Sequence, residues 1–345
     1  MKYMESGLFS HLFSSVDVGI DLGTSFTRVY IKGRGIVLEE PTAAAVDKNS
    51  GRVKVIGTQA LGLEPSDDLT VVHPLLHGVI GDFDAAQGLL EAVLTRVAGR
   101  NLFLKPRVMV CVPTGVTGVE RRAVIEAALQ AGASKTYLLE APMAAALGAG
   151  MPVFRPLGQL VVNIGGDTTS AAVISMGHII EASSLRMGGN AFTQAMLRYL
   201  NKSMNVQLDE ALAEELKKEI GTVNPVNHHG NKIVRGRDLI TGLPTTVRIV
   251  SGDLARGFVE PVKQLLDCIH RVLEKTPPEL AADILDQGIV LTGGGARLDG
   301  LAQVIQSQLQ VRTRTAQLPE KCVAVGTGMA LDEPMFLTGS EMLEA

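Results

Sequence analysis

Two stretches half a chain apart share one plan. "GIDLGTSFTRVYI" (19–31) and "VNIGGDTTSAAVI" (162–174) each run from an apolar strand through a polar residue and a glycine turn with threonine into a second apolar strand. Asp21 aligns with Asn163, Gly23 with Gly165 and Thr27 with Thr169. Two such hairpins in matching register predict a duplicated α/β fold whose halves face each other across a cleft. Glycine turns of this kind let backbone N–H groups close around a phosphate, and threonine hydroxyls add donors. Two residues fit that role poorly: a carboxylate, Asp167, inside the second turn, and a neutral Asn163 at the strand end where a metal-side acid would stand.

The rest of the chain alternates strand and helix. "RVMVCV" (107–112) reads as a buried strand, followed by a helix from Val119 to about Ala131 stopped by Gly132. "TYLLEA" (136–141) is a strand before the small-residue helix "PMAAALGAG", and "DEALAEELKKEIG" (209–221) is a helix with a glycine stop. "VRIV" (247–250) leads into one long helix, 252–275. In "TPPE" (276–279) Thr276 is the expected N-cap and Glu279 the capping-box acid. "GIVLTGGGARL" (288–298) runs a strand into a third glycine turn, a further place for close approach to a ligand. Residues 222–238 are polar and turn-rich and read as an exposed excursion; His228 and His229 there are metal-ligand candidates or simply solvated.

With 345 residues there is room for two core-bearing lobes, and 46% apolar against 20% charged residues marks a folded chain. The net charge of −4 gives no basic footprint for nucleic acid. Cys111, Cys268 and Cys322 lack metal or redox spacing and read as reduced, buried thiols of a cytosolic protein. No apolar run reaches ~18 residues, and the start lacks the pattern of a signal peptide. In "MKYMESGLFSHLF", Met1, Met4, Leu8, Phe9, Leu12 and Phe13 fall on one helical stripe. That stripe is an interfacial amphipathic helix candidate, the alternative being a disordered start.

Three glycine loops on a duplicated scaffold resemble the actin/chaperone/sugar-kinase ATPase superfamily. "GIVLEEPTAAAV" (35–46), "CVPTGVTGVERRAVIEAALQAGA" (111–133), "EAPMAAALGAGMPV" (140–153), "RGRDLITGLP" (235–244) and "EKTPPELAADILDQGIVLTGGGARLDGL" (274–301) look like the MreB family of bacterial actins, a resemblance running from about residue 18 to 331. It implies an actin-like two-lobe α/β fold with ATP or ADP and Mg²⁺ between the lobes. It also implies polymerisation into paired filaments and guidance of cell-wall synthesis with elongation proteins at the inner face of the membrane.

The expected division has residues 1–15 as an amphipathic segment and 16–32, 80–150 and 322–336 as subdomain IA. Residues 33–79 form subdomain IB, 151–184 and 250–321 subdomain IIA, and 185–249 subdomain IIB. Carried over by position, Asp21 is the metal-side acid, and Gly23, Thr24, Ser25 and Phe26 form the first phosphate loop. Gly165, Gly166, Asp167 and Thr168 form the second. Glu214, Lys217 and Glu219 match ribose and adenine contacts, and Gly294, Gly295 and Ala296 line the adenosine. Leu102 and Phe103 sit where the family inserts a loop into the membrane, ordinary packing being the alternative.

The chain departs from the family where hydrolysis happens. The first loop usually reads D-L-G-T-x-N-T, and Phe26 replaces the Asn. The acid before the proline, which positions the attacking water, is Ala141. The second loop usually reads D-I-G-G-G-T-T-E, and here Asn163 and Ser170 replace its two acids. Hydrolysis needs an oriented water and a held metal, so these losses predict impaired ATP hydrolysis. Asp167 has two readings. It repels a phosphate, at a cost of about a hundredfold in affinity, or it replaces the lost acid at the metal. The expected protein is a membrane-associated, hydrolysis-weak filament former that assembles with itself and co-assembles with or regulates an active paralogue. The alternatives are a conventional ATP-cycling member of the family or a sugar kinase.

Overall fold

The computed structural model describes residues 16–337 apart from 65, 67, 99–104 and 228–229. The described chain forms two compact units, one reaching Gly148 and resuming at Val323, the other spanning Ala149–Cys322. The amphipathic stripe before residue 16, Leu102, Phe103, His228 and His229 lie outside the described residues.

Unit 1 begins with β1 (Asp17–Leu22), β2 (Phe26–Ile31) and β3 (Gly35–Pro41). A small antiparallel sheet follows, built from β4 (Ala44–Asp47), β5 (Val53–Ile56) and, after α1 (Thr58–Leu61), β6 (Leu69–Val72). The short pair β7 (Leu75–Leu76) and β8 (Val79–Ile80) leads to α2 (Phe83–Ala98). Then come β9 (Arg107–Val112), α3 (Gly118–Gln130), β10 (Lys135–Glu140) and α4 (Ala141–Gly148). Thr117 caps α3 and Glu120 reaches back to it in a capping box, which is why the helix starts where it does.

Unit 2 holds β11 (Gln159–Ile164), β12 (Thr169–Ser175), β13 (His178–Leu185), α5 (Gly189–Met204), β14 (Val206–Gln207) and α6 (Glu210–Ile220). They are followed by β15 (Asn231–Asp238), β16 (Pro244–Val250), α7 (Ser251–Gly257), α8 (Val259–Lys275), α9 (Pro278–Gln287), β17 (Ile289–Thr292), α10 (Leu301–Leu309) and β18 (Thr313–Thr315). A last helix, α11 (Cys322–Ala330), returns to unit 1.

The duplication read from the two hairpins extends to whole sheets. Unit 1 orders its central strands β3-β2-β1-β9-β10, and unit 2 orders its own β13-β12-β11-β17-β18. In both, the first three strands run antiparallel and the last two join in parallel. Each sheet has its own core. In unit 1, Val18, Ile20 and Val110 pack with Leu89, Leu90 and Val93 of α2. In unit 2, Leu160, Val162 and Ile164 pack with Phe192 and Met196 of α5 and with Leu265, Ile269 and Val272 of α8.

Four expectations change. Ala141 opens α4 rather than ending the strand before it. The helix expected over 252–275 is two helices meeting at Phe258, because Pro261 has no N–H for the carbonyl of Gly257. Thr276 does not cap α9. Its hydroxyl donates to Val272 O at 2.6 Å, closing α8 instead, and Pro277 holds the cap position. The segment read as an exposed excursion contains β15, whose Val234 is buried; residue Thr222 is buried too.

Helix α11 reaches its seat through glycine. A Cβ on Gly326 would collide with the backbone carbonyl of Ala144, and one on Gly328 with the Tyr30 ring. Gly326→Ala is therefore expected to lower the unfolding free energy by about 1–3 kcal/mol. Gly252→Ala, where the added carbon meets nothing within 4 Å, should be neutral or stabilising by up to about 1 kcal/mol. Urea unfolding of both variants checks the packing, and a Gly326→Ala chain as stable as its parent contradicts it.

Candidate functional site

The two hairpins close in the same way. Gly23 N donates to Phe26 O at 3.2 Å, and Gly165 N donates to Thr168 O at 2.8 Å, so each turn is held across equivalent residues. At Gly23 a Cβ would lie 2.8 Å from Phe26 O, and at Gly188 one would lie 2.5 Å from Gly165 O. Glycine at these points permits the close approach.

In unit 2 the turn is fastened to the start of α5. Gly189 N donates to Gly165 O at 2.9 Å and Asn190 N to Gly166 O at 2.8 Å. The Asn190 amide adds a third bond, Nδ2 to Asp167 Oδ1 at 2.7 Å. The N–H groups of Gly166, Asp167 and Thr168 make no hydrogen bond among the described residues. Thr169 is buried and its hydroxyl donates to Met187 O at 2.7 Å, so Thr168 carries the half-buried hydroxyl of the pair. Asn163 is 7% exposed and accepts from the Thr292 hydroxyl at 3.2 Å. Ser170, its cross-strand partner, is 2% exposed.

The third glycine turn is adjacent. Gly294–Arg297 forms a 3₁₀ turn, and a Cβ on Gly293 or Gly295 would strike Ile164 at the end of β11. Gly294, Gly295 and Ala296 thus stand beside the unit 2 hairpin. Arg297 anchors the turn through a bidentate pair with Glu320 at 2.7 and 2.8 Å.

Helix α6 brings two of its three predicted residues to the same place. Lys217 Nζ donates to Gly189 O at 2.7 Å and to Thr193 Oγ1 at 2.8 Å, and it pairs with Glu214 at 2.6 Å. Thr193 donates to Glu214 at 2.6 Å. Burial pulls Lys217 below its ordinary value against the attraction of Glu214. Burial also acts to raise the Glu214 carboxyl, but Lys217 and the hydrogen bonds outweigh it and hold the group below its usual range. Glu219 is elsewhere: it pairs with Lys232 of β15 at 2.6 Å, about 140° around the helix from Glu214.

In unit 1, Asp21 stands opposite Arg28 across the hairpin, with a guanidinium-to-carboxylate distance of 3.9 Å. Arg28 also binds Glu39 at 2.9 Å and lies 5.1 Å from the centre of the Phe26 ring. Burial pushes the Asp21 carboxyl up to about 6, with Arg28 opposing and Glu39 adding to the rise. Thr24 Oγ1 accepts from Gly78 N at 3.0 Å, and Ser25 O from Thr42 N at 3.0 Å. Ala141 is 9% exposed; the neighbouring acid, Glu140, is 3.6 Å from Arg121. Burial, then Asp21 and Glu140, push the Cys111 thiol up, so Cys111 stays protonated.

Five partners escaped the sequence reading: Arg28, Glu39, Asn190, Thr193 and Thr292. Only Arg28 had a signal, since a hairpin centred on the Gly23 turn puts residue 28 across from residue 21.

A family profile described as MreB/Mbl protein matches residues 15–338. The chain is similar to the cell shape-determining protein Mbl of Bacillus subtilis (strain 168), 43% identical over 319 residues that cover 92% of this chain and 96% of the relative. It is similar to the cell shape-determining protein MreB of Escherichia coli (strain K12), 40% identical over 333 residues, covering 94% and 95%. Among solved structures, MreB 5 of Spiroplasma citri bound to AMPPNP matches with a TM-score of 0.86 at 32% identity, covering 93% of this chain and 97% of that one. A MamK double helical filament, at 21% identity and a TM-score of 0.77, covers 92% and 99% and shares the fold. The fold is thus the actin-like two-lobe α/β fold.

The raised Asp21 carboxyl has a measurable sign. Between its unfolded value of 3.8 and its folded value of about 6, the native state binds more protons than the unfolded one. Stability from this group therefore falls as pH rises through that window, by about 2–3 kcal/mol, and stays lower above it. Asp21→Asn should remove the fall in nucleotide- and metal-free protein. Urea unfolding of parent and variant from pH 4 to pH 7 checks this, and parallel pH profiles refute it.

Proposed function

The chain belongs to the MreB/Mbl family, and on that premise we propose that it is a cell shape-determining, actin-like filament protein that binds adenine nucleotide and hydrolyses it slowly. The observation carrying this reading is the neutral, buried state of the positions that should hold acids. Asn163 is 7% exposed and bonded to Thr292, Ser170 is 2% exposed, and Ala141 has no polar group.

The residues fit a nucleotide. The three unengaged N–H groups of Gly166, Asp167 and Thr168, the adjoining Gly294–Ala296 turn and the Glu214–Lys217 pair supply phosphate and sugar recognition within unit 2. Gly23, Thr24, Ser25 and Phe26 supply the other phosphate turn, the first in the chain, without the amide donor the family places at Phe26. The nucleotide-bound state of the Spiroplasma citri relative, solved with AMPPNP and with ADP, supports this part of the reading.

The residues fit a firmly held Mg²⁺ less well. Asp21 is the one strand-end carboxylate of the two hairpins, and burial already favours its protonated form. Bound Mg²⁺ would neutralise phosphate charge. Ala141 and Ser170 together offer at most one hydroxyl, and no carboxylate to take a proton from an attacking water or to aim it.

Assembly and position complete the proposal. The chain polymerises with itself or with an active paralogue, and it works with cell-wall elongation proteins on the cytoplasmic face of the membrane. Membrane contact runs through the apolar stripe Leu8, Phe9, Leu12 and Phe13, helped by Leu102 and Phe103. Avidity along a filament multiplies weak single contacts.

Two measurements test the reading. Phosphate release at saturating ATP should be slower than that of a homologue with intact acids by about 10²-fold or more. Ala141→Glu alone should restore little, and Ala141→Glu with Asn163→Asp and Ser170→Glu should restore more, because such groups act as a unit. Thermal melting accompanies the triple variant, since the last two changes bury charge. Turnover of the parent at the homologue's rate overturns the proposal. Separately, liposome flotation should be lost on deleting residues 1–13 and changing Leu102 and Phe103 to Ser; unaltered flotation refutes the membrane assignment.

A further inference from the structure

Asp167 occupies the third place of a phosphate-type turn, where the family pattern has glycine. A free aspartate there could rotate away from an incoming anion. This one is held: Asn190 Nδ2 grips Oδ1 at 2.7 Å, while the backbone N–H of the same Asn190 grips Gly166 O at 2.8 Å. One residue thus fixes both the carboxylate and the turn that carries it. Around it, the N–H groups of Gly166, Asp167 and Thr168 are unengaged. Consecutive N–H groups of this kind seek an anion, and this turn already carries one on its own backbone.

Resting on the nucleotide-binding reading above, we propose that Asp167, pinned by Asn190, makes the unit 2 turn select against phosphate charge, so that the chain prefers a nucleoside diphosphate to a triphosphate. The carboxylate repels every phosphate of the ligand, and the repulsion grows with each added charge. One more unit of phosphate charge some 5–8 Å away, at an effective dielectric near 20, weakens binding by roughly thirty- to a hundredfold or more. Screening by mobile ions reduces this, so tenfold is the smallest difference expected between ADP and AMPPNP at low salt. The pairing with Asn190 directs Oδ1 of Asp167 at α5.

Titration calorimetry on the full chain separates the possibilities, using ADP, AMPPNP and AMP, each with Mg²⁺ and with EDTA, at low and high ionic strength. The parent should bind ADP at least tenfold more tightly than AMPPNP, with the gap shrinking at high salt. Asp167→Asn keeps the shape and can still bond Asn190. It should tighten AMPPNP most, ADP less and AMP least, and bring the AMPPNP-to-ADP ratio near one. Asn190→Ala frees the carboxylate and should narrow the ratio part of the way. Thermal melting confirms that each variant is folded.

A parent with equal affinity for ADP and AMPPNP, or a ratio that Asp167→Asn does not move, overturns the inference while leaving nucleotide binding intact. Weaker Mg²⁺-dependent binding in Asp167→Asn also overturns it, by making Asp167 a metal ligand. Failure of both parent and Asp167→Asn to bind any of the three nucleotides removes the nucleotide-binding reading itself, and the inference with it.

Discussion

Burial of both faces of β11 governs what unit 2 can offer a ligand. All six of its residues, Gln159–Ile164, are buried, so whatever stands near its end is withdrawn from water. A carboxylate there would need a cation or several donors to offset its desolvation. Asn163 avoids that cost by being neutral, and it meets the buried Thr292 hydroxyl from the neighbouring strand. The equivalent strand of unit 1 answers the same demand differently. Asp21 keeps its acid, and Arg28 is set opposite it, with Glu39 behind the arginine. One topological position therefore carries a partly compensated carboxyl in one unit and an uncharged hydrogen bond in the other, and the chemistry proposed for the chain follows from that asymmetry.

The hairpins were legible in the sequence because glycine and threonine at fixed spacing leave few backbone solutions, and two copies in register remove most ambiguity. Lengths of β9 and α3 were legible for similar local reasons, a continuous apolar run and a glycine stop. What escaped was set by contacts distant in sequence. Asn190 lies 23 residues from Asp167, and no local pattern marks an asparagine in a first helical turn as the holder of an acid. Thr276 had the form of an N-cap, yet the carbonyl of Val272 in the preceding helix claimed its hydroxyl first. Residues Asn231–Asp238 looked like loop because their composition is polar; pairing with β16 and burial of Val234 and Ile249 made them a strand. Glu219 shares a helix with Glu214 and Lys217, and helical rotation alone turns it toward Lys232.

Within unit 2 the groups proposed to recognise the nucleotide are joined rather than scattered. Lys217 bonds Gly189 O, Gly189 N bonds Gly165 O, and Asn190 ties both backbone and side chain of the turn. Such a chain of bonds holds the turn's shape before any ligand arrives, and its members strengthen one another in a poorly solvated setting. Loss of one link is felt along the whole series, which is why the carboxylate of Asp167 and the ammonium of Lys217 belong to one assembly despite lying 50 residues apart.

The return of α11 to unit 1 has a consequence for how the chain is made. Unit 2 is contiguous, Ala149–Cys322, whereas unit 1 is completed only from Val323 onward. As the polypeptide leaves the ribosome, the first unit emerges with all five strands of its central sheet but without the helix whose Gly326 and Gly328 press against Ala144 and Tyr30. The second unit has all its strands as soon as Cys322 is synthesised. Vectorial synthesis, which favours early closure of N-terminal domains, is thus reversed here: the unit begun first is the one finished last. Until α11 docks, the backbone of Ala144 and the Tyr30 ring lack the cover it gives them, and truncation within α11 strips a piece from the part of the molecule made first.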